Sequence, residues 1–154
     1  ALTGQSHAEI LSMAQSLAKR VRLLVSLDTF EFIVRAGRIG KARALLASLL
    51  NIKPIITLAN GVIEPLDKVR GAGKVVPRLV ELCQGSVKTA RVRAAVIHAQ
   101  ALECAQRLKA EIERKLCTSV VLAKAGPGVV TNAGPGAFGV AIMDLPYNHP
   151  VSGD

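Results

Sequence analysis

Apolar side chains recur at Ile10, Leu11, Met13, Leu17 and Val21, intervals that place them along a helix. Ser6 stands three residues before Glu9, the spacing of a capping box, so a first helix is expected to open there and end near Arg20. Residues 21–26 are short and β-rich and read as a strand. Asp28 is placed to cap a second helix through Phe30, Ile33 and Val34, stopped by Gly37 at a position that favours positive φ. Ala42, Leu45, Leu46, Leu49 and Leu50 share one face of a third helix, broken at Asn51.

The pattern then turns to strands. Residues 52–58 form one, Asn60-Gly61 is a strong hairpin signal, and residues 62–66 and 68–70 return as its partner. Pro54 and Pro65 each remove a ladder donor, so edges or bulges are expected at them. After Gly71 and Gly73 come a helix over 75–82 and a strand over 91–98. A helix over 101–116 follows, with Leu102, Ala105, Leu108 and Ile112 inward, and then a strand over 118–122. A glycine-rich loop over 126–139 leads to a last strand at 140–143. The order αβααββαβαββ, with a hairpin in the middle, predicts an α/β fold: a mixed, partly antiparallel sheet packed with helices. We expect one domain over residues 1–144 and a loose tail over 145–154.

Half of the 154 residues are hydrophobic and only 3% are aromatic, so the core must be built from Leu, Val, Ile and Ala. No apolar run approaches the roughly 18 residues of a membrane span, so the chain is not expected to be transmembrane. The first residues lack both a signal peptide and an initiator Met, which suggests a processed or excised chain. Cys83, Cys104 and Cys117 are odd in number and unevenly spaced, and read as reduced thiols of a cytoplasmic protein. The net charge of +9 raises nucleic acid, anionic headgroups and acidic proteins as partners. Nucleic acid is disfavoured, because the basic residues are scattered and few aromatics are available to stack on bases.

Gly134-Pro135-Gly136-Ala137-Phe138-Gly139 spells GxGxxG, but no helix is expected after it and the chain ends within 15 residues, so it is not a dinucleotide fingerprint. Gly73-Lys74 is not a P-loop, since Lys68 and Val75 stand where that motif needs Gly and Ser or Thr. His7, His98 and His149 are far apart, no Ser or Thr sits in a nucleophile elbow, and no ligand cluster suggests a metal. No enzyme activity and no cofactor are expected. Two loops suit an anion. Arg38 follows the helix break at Gly37, where its planar fork suits a carboxylate or phosphate, or alternatively a surface ion pair. The Gly134-Pro135-Gly136 turn allows a close backbone approach to a ligand, or is simply a tight turn.

These pieces, in this order, resemble the C-terminal half of DegV-family fatty-acid-binding proteins. The matching stretches are Leu27 to Ile39 with Gly37-Arg38-Ile39, Leu46 to Ile56, Asn60-Gly61-Val62-Ile63-Glu64-Pro65, Lys68-Val69-Arg70, and Gly134 to Ala141. The resemblance covers about residues 4–143. It implies a domain that binds a long-chain fatty acid between two α/β domains and presents its carboxyl group to a fatty-acid kinase, which carries the ATP chemistry. The implied ligand-binding residues are Arg38, Ile39, Asn132, Gly134, Pro135, Gly136 and Ala137, and Arg70 matches a basic position linked to headgroup or kinase docking.

Two departures bear on that role. The family's N-terminal domain, with the hydroxyls that hold the carboxylate, is not in this sequence. Asn132 also stands where the family usually has His, and Asn cannot carry positive charge. The implied partners are a long-chain fatty acid, a DegV N-terminal domain or equivalent chain, a fatty-acid kinase, and a further copy of this chain. The alternative is a regulatory or structural interaction module that has lost lipid binding.

Overall fold

In a computed structural model the described residues are 4–38, 51–89, 91–116 and 118–145. Helix α1 (His7–Arg20) opens on Ser6, whose hydroxyl accepts from the Glu9 N–H at 3.3 Å while the Glu9 carboxylate accepts from the Ser6 N–H at 2.8 Å. The capping box is therefore present. None of the described α1 side chains is buried, and Ile10, Leu11 and Met13 lie open to solvent.

Strand β1 (Arg22–Ser26) leads to the short helix α2 (Glu31–Arg35). The expected cap at Asp28 is not made. Asp28 pairs with the Lys53 ammonium instead, and the Glu31 N–H turns to the Thr29 hydroxyl at 3.2 Å. The third helix expected over 42–50, Ile39 and the tail after residue 145 lie outside the described residues.

Strands β2 (Ile52–Ala59) and β3 (Val62–Arg70) form the expected hairpin, with φ of 52° at Asn60 and 77° at Gly61. Positive φ at both central residues matches the twist of the flanking strands. Of the two prolines, Pro65 sits at an irregularity. Ile56 faces Pro65 and Ile55 faces Asp67, so Leu66 is the extra residue of a bulge on the edge strand. Pro54 lies in regular register opposite Lys68 and uses its carbonyl to accept from the Leu27 N–H.

A 3₁₀ turn over Ala72–Lys74 leads into α3 (Val75–Ser86), followed by β4 (Val92–His98), α4 (Leu102–Leu116) and β5 (Val120–Lys124). The expected glycine-rich loop over 126–139 is not all loop. It holds helix α5 (Pro127–Ala133) before β6 (Phe138–Asp144). Pro127 occupies the first helical position, where its fixed φ helps and its missing N–H costs nothing. Gly128 and the β-branched Val129, Val130 and Thr131 are weak helix formers, which hides this turn from propensity.

The six strands run in the order β3-β2-β1-β6-β4-β5. Only β4 and β5 pair in parallel, so the sheet is mixed as expected. One face carries the main core. Leu24, Ile55, Val96, Val140 and Ile142 meet Leu79 and Cys83 of α3 and Leu108 and Ile112 of α4. Burial pushes the Cys83 thiol up to about 12, so it is an inert core group.

Two ion pairs pin this helix layer to the sheet. Arg78 of α3 reaches Asp67 of β3 at 2.5 Å. Lys109 of α4 pairs with Glu113 and also donates to the Val120 carbonyl at 2.7 Å, while Glu113 accepts from the Val120 N–H at 3.1 Å. The Lys109 and Val120 hydrogen bonds hold the Glu113 carboxyl below its ordinary range.

On the opposite face, among the described residues, α2 and α5 cover part of the sheet, around Leu27, Phe30, Ile33, Ile56, Ala99 and Ala137. Because strand side chains alternate, Leu23, Val25, Ala95, Ile97 and Ala141 also point to this side and are half-buried, with Val121 exposed.

Two measurements test this picture. Leu108→Ala should cost about 3 kcal/mol in urea denaturation, whereas Leu11→Ala on the open face of α1 should change stability by less than about 0.5 kcal/mol. The lowered Glu113 contributes stability above the ordinary carboxylate range and loses it as pH falls through the folded pKa. Glu113→Gln should therefore flatten the acid limb of a stability–pH curve, and an unchanged slope would contradict the pairing.

Candidate functional site

The uncovered face contains a slot of about 120 Å³, lined by Leu23 and Val25 of β1, Ile97 of β4, Ala125, Val129 and Ala133 around α5, and Ala137 and Gly139. Its walls are almost wholly apolar. Small side chains create it, since larger ones at Ala133 or Ala137 would fill the space. Gly139 is required for a different reason: a Cβ there would fall inside contact distance of the Leu24 carbonyl on the neighbouring strand.

Across α5 lies a second depression of about 440 Å³, where Gly37 and Arg38 meet Asn132 and the hairpin residues Leu58, Gly61, Val62 and Ile63. Arg38 is positioned by the end of α2. The Gly37 N–H bonds to the Val34 carbonyl and the Arg38 N–H to the Ile33 carbonyl, both at 3.0 Å. With Gly37 at φ 66°, this is a Schellman closure, and it puts the exposed Arg38 just outside the helix. Asn132 spends one amide hydrogen on the Gly128 carbonyl at 2.6 Å. Helix α5 therefore offers Val129 and Ala133 to the slot and Asn132 to the depression.

The Gly134-Pro135-Gly136-Ala137 turn joins α5 to β6 beside both features. Gly134 and Gly136 have φ of 79° and 82°. Their close approach is to the protein itself: a Cβ at Gly134 would strike the Phe32 ring, and one at Gly136 would lie 2.9 Å from the Asp28 Cβ. Their N–H groups are also engaged, by the Val130 carbonyl at 2.9 Å and the Ala99 carbonyl at 2.7 Å. These amides do not form an open nest for an anion.

Arg70 ends β3 opposite Ile52 and is exposed. Eight residue steps of about 3.3 Å put it roughly 26 Å along the strand from the hairpin turn beside Arg38. The structure thus brings Arg38 and Asn132 together with the glycine turn, leaves Arg70 apart, and places Ile39 outside the described residues. His98 is buried, and its Nδ1 accepts from the Ala101 N–H at 3.3 Å, a structural role. Among the described residues no group of side chains could hold a metal, and no helix is long and apolar enough to cross a membrane.

Sequence reasoning missed the slot. Its signal was present in strands apolar on both faces, such as Leu23-Leu24-Val25 and Ala94-Ala95-Val96-Ile97, which read as burial on two sides.

The family model for DegV, described as an uncharacterised protein family, matches residues 1–145. The chain belongs to the DegV family. Among relatives, a DegV domain-containing protein of Caldanaerobacter subterraneus subsp. tengcongensis is 30% identical over 142 residues, covering 91% of this chain and 51% of that protein. Protein DegV of Bacillus subtilis is 33% identical over 137 residues, covering 88% and 49%. The chain therefore spans about half the length of the curated relatives it matches. Among solved structures, a fatty-acid-binding DegV family protein from Thermus thermophilus matches with a TM-score of 0.85 at 28% identity, over 93% of this chain and 52% of that one. The fatty-acid-binding DegV of Bacillus subtilis matches with a TM-score of 0.76 at 31% identity, over 91% and 50%.

For this DegV chain, the glycine turn has a packing role that can be measured apart from any ligand. Gly134→Ala should destabilise by roughly 2–3 kcal/mol, from the positive φ and the clash with Phe32. In a double-mutant cycle with Phe32→Ala, thermal denaturation should show the two costs adding to less than their sum. Full additivity would show that the ring is not what the glycine accommodates.

Proposed function

We propose that this chain is a non-enzymatic lipid-binding domain, corresponding to the C-terminal half of a DegV protein, that takes the tail of a long-chain fatty acid on its uncovered sheet face. The apolar slot beneath α5 carries this reading, because an aliphatic pocket that opens onto an uncovered aliphatic face suits a hydrocarbon chain. The DegV proteins of Thermus thermophilus and Bacillus subtilis, which bind fatty acids, support it. In this reading residues 1–144 are the domain and 145–154 a tail, acting in the cytoplasm without a cofactor.

The carboxylate end is assigned to the depression around Arg38, with Asn132 and the Gly134-Pro135-Gly136-Ala137 turn forming the wall between head and tail. Arg38 supplies the charge. Asn132 adds at most a hydrogen bond, since one of its amide hydrogens is held by Gly128. Ile39, next to Arg38, belongs to the same proposed site.

Size limits what this half can hold. An engineered cavity of about 150 Å³ holds one benzene, so a slot of about 120 Å³ takes only about six carbons. At about 0.8 kcal/mol per buried CH₂, these contribute roughly 5 kcal/mol. The remaining carbons of a long chain would lie along the half-buried Ala95, Ile97 and Ala141, under a cover supplied by a DegV N-terminal domain, an equivalent chain or a second copy. Arg70, far from the slot, is left for docking to a fatty-acid kinase that receives the carboxyl group.

A second reading, an interaction module that no longer binds lipid, is favoured by Asn132 alone. Mass spectrometry of the denatured protein separates the two. The lipid reading expects a released fatty acid, lost when Ala133→Leu fills the slot and weakened only severalfold by Arg38→Met, because a charged hydrogen bond to an exposed side chain contributes about 1 kcal/mol. Protein that carries no fatty acid and ignores added oleate would establish the module instead.

A further inference from the structure

We propose that the outer edge of β5 is an interaction surface, on which a second copy of this chain lays its own β5 antiparallel across a two-fold axis. Strand β5 stands at the end of the sheet, and among the described residues only β4 pairs with it. The ladder fixes which backbone groups stay open, because neighbouring residues of a strand turn their N–H and C=O groups to opposite sides. The Ala125 N–H bonds to the His98 carbonyl at 2.8 Å, so Val121, Ala123 and Ala125 address β4. Val120, Leu122 and Lys124 therefore address the outside.

Val120 is already taken. Its N–H donates to the Glu113 carboxylate at 3.1 Å and its carbonyl accepts from the Lys109 ammonium at 2.7 Å, so two side chains of α4 close that end of the edge. What remains is the N–H and C=O of Leu122 and of Lys124. An antiparallel copy with Ala123 on the axis sets Leu122 opposite Lys124 of the other copy, and Lys124 opposite its Leu122. Residues opposed in this way exchange two hydrogen bonds, so the two pairs use every open group and leave the Val120 bracket intact. Ala123 then falls at the close position, where Cα atoms approach to about 4.5 Å and a small side chain fits. Val121, 64% exposed, meets the apolar Ala125 of the other copy. This match of number, spacing and side chains is what selects a second β5 as the occupant.

The two edges of the sheet differ in the same sense. Strand β3 is blunted by Pro65, by the bulge at Leu66 and by the charges of Glu64, Asp67 and Lys68. Strand β5 has no proline and no bulge, and Lys124 is its one charged residue. Two copies bring their Lys124 side chains near each other. That repulsion, with a contact of only five residues a side, makes the pairing weak. It uses the edge and not the face that carries the slot, so it does not depend on the lipid reading.

The test is sedimentation equilibrium of the 154-residue chain with amide hydrogen exchange, at concentrations up to about 0.5 mM, where weak pairs associate. A monomer–dimer equilibrium is expected, with the Leu122 and Lys124 amides gaining protection as the dimer forms. Lys124→Pro removes an outward donor and keeps the ladder to β4, and should weaken the dimer about tenfold or more. Lys124→Thr keeps that donor, removes the like charge, and should tighten the dimer severalfold. Circular dichroism of both variants checks that the fold is retained. A chain that stays monomeric over the whole range would overturn the second copy and leave the edge to an extended segment of another protein. A dimer indifferent to Lys124→Pro, or one that Lys124→Thr weakens, would show that the copies meet elsewhere.

Discussion

A sheet whose central strands are apolar on both faces must have both faces kept from water, and this one condition organises the molecule. On one side α3 and α4 meet it with a continuous aliphatic layer around Leu79, Leu108 and Ile112. On the other side, among the described residues, two short helices cover part of the surface, with Leu23, Val25 and Ile97 half-buried and Val121 open. At about 25 cal/mol per Å² of apolar surface, leaving such a face wet forfeits several kcal/mol. A lipid tail, a second domain or both would recover it.

The cluster of small residues follows from the same condition. Gly139 lets β6 lie against β1, Gly134 admits the Phe32 ring, and Gly136 passes close to Asp28. Each glycine lets backbone pack where a side chain would collide. Ala125, Ala133 and Ala137 then leave the space that larger aliphatics would have taken. The slot is thus bounded by closely packed neighbours.

Much of this was legible from local pattern. Ser6 with Glu9, Asn60-Gly61, Gly37 and the spacing of Ala105, Leu108 and Ile112 are short-range signals whose physics is complete within a few residues, and each is found where the pattern puts it, whereas Leu102, expected inward with them, lies exposed in the first turn of α4, where the sheet no longer covers the helix face. Helix α5 was hidden because Gly128, Val129 and Val130 are poor helix formers, and the helix is held by Pro127 at its start and by packing against α2. Asp28 was misread because its partner, Lys53, lies 25 residues away. The pairing of Arg38 with Asn132 across the depression joins residues 94 positions apart, and no periodicity carries it.

In the proposed reading, the contrast between the head and tail features would set how binding energy divides. The proposed carboxylate end would have one exposed Arg38 and an Asn132 that is partly spent on its own helix, in water-accessible surroundings where a charge pair gains little. The tail end has an aliphatic slot, and each methylene removed from water there adds about 0.8 kcal/mol. A site built this way would hold its ligand by the chain and orient it by the head. In that reading, an uncharged Asn132 would bear on where the carboxyl group points more than on whether the lipid stays.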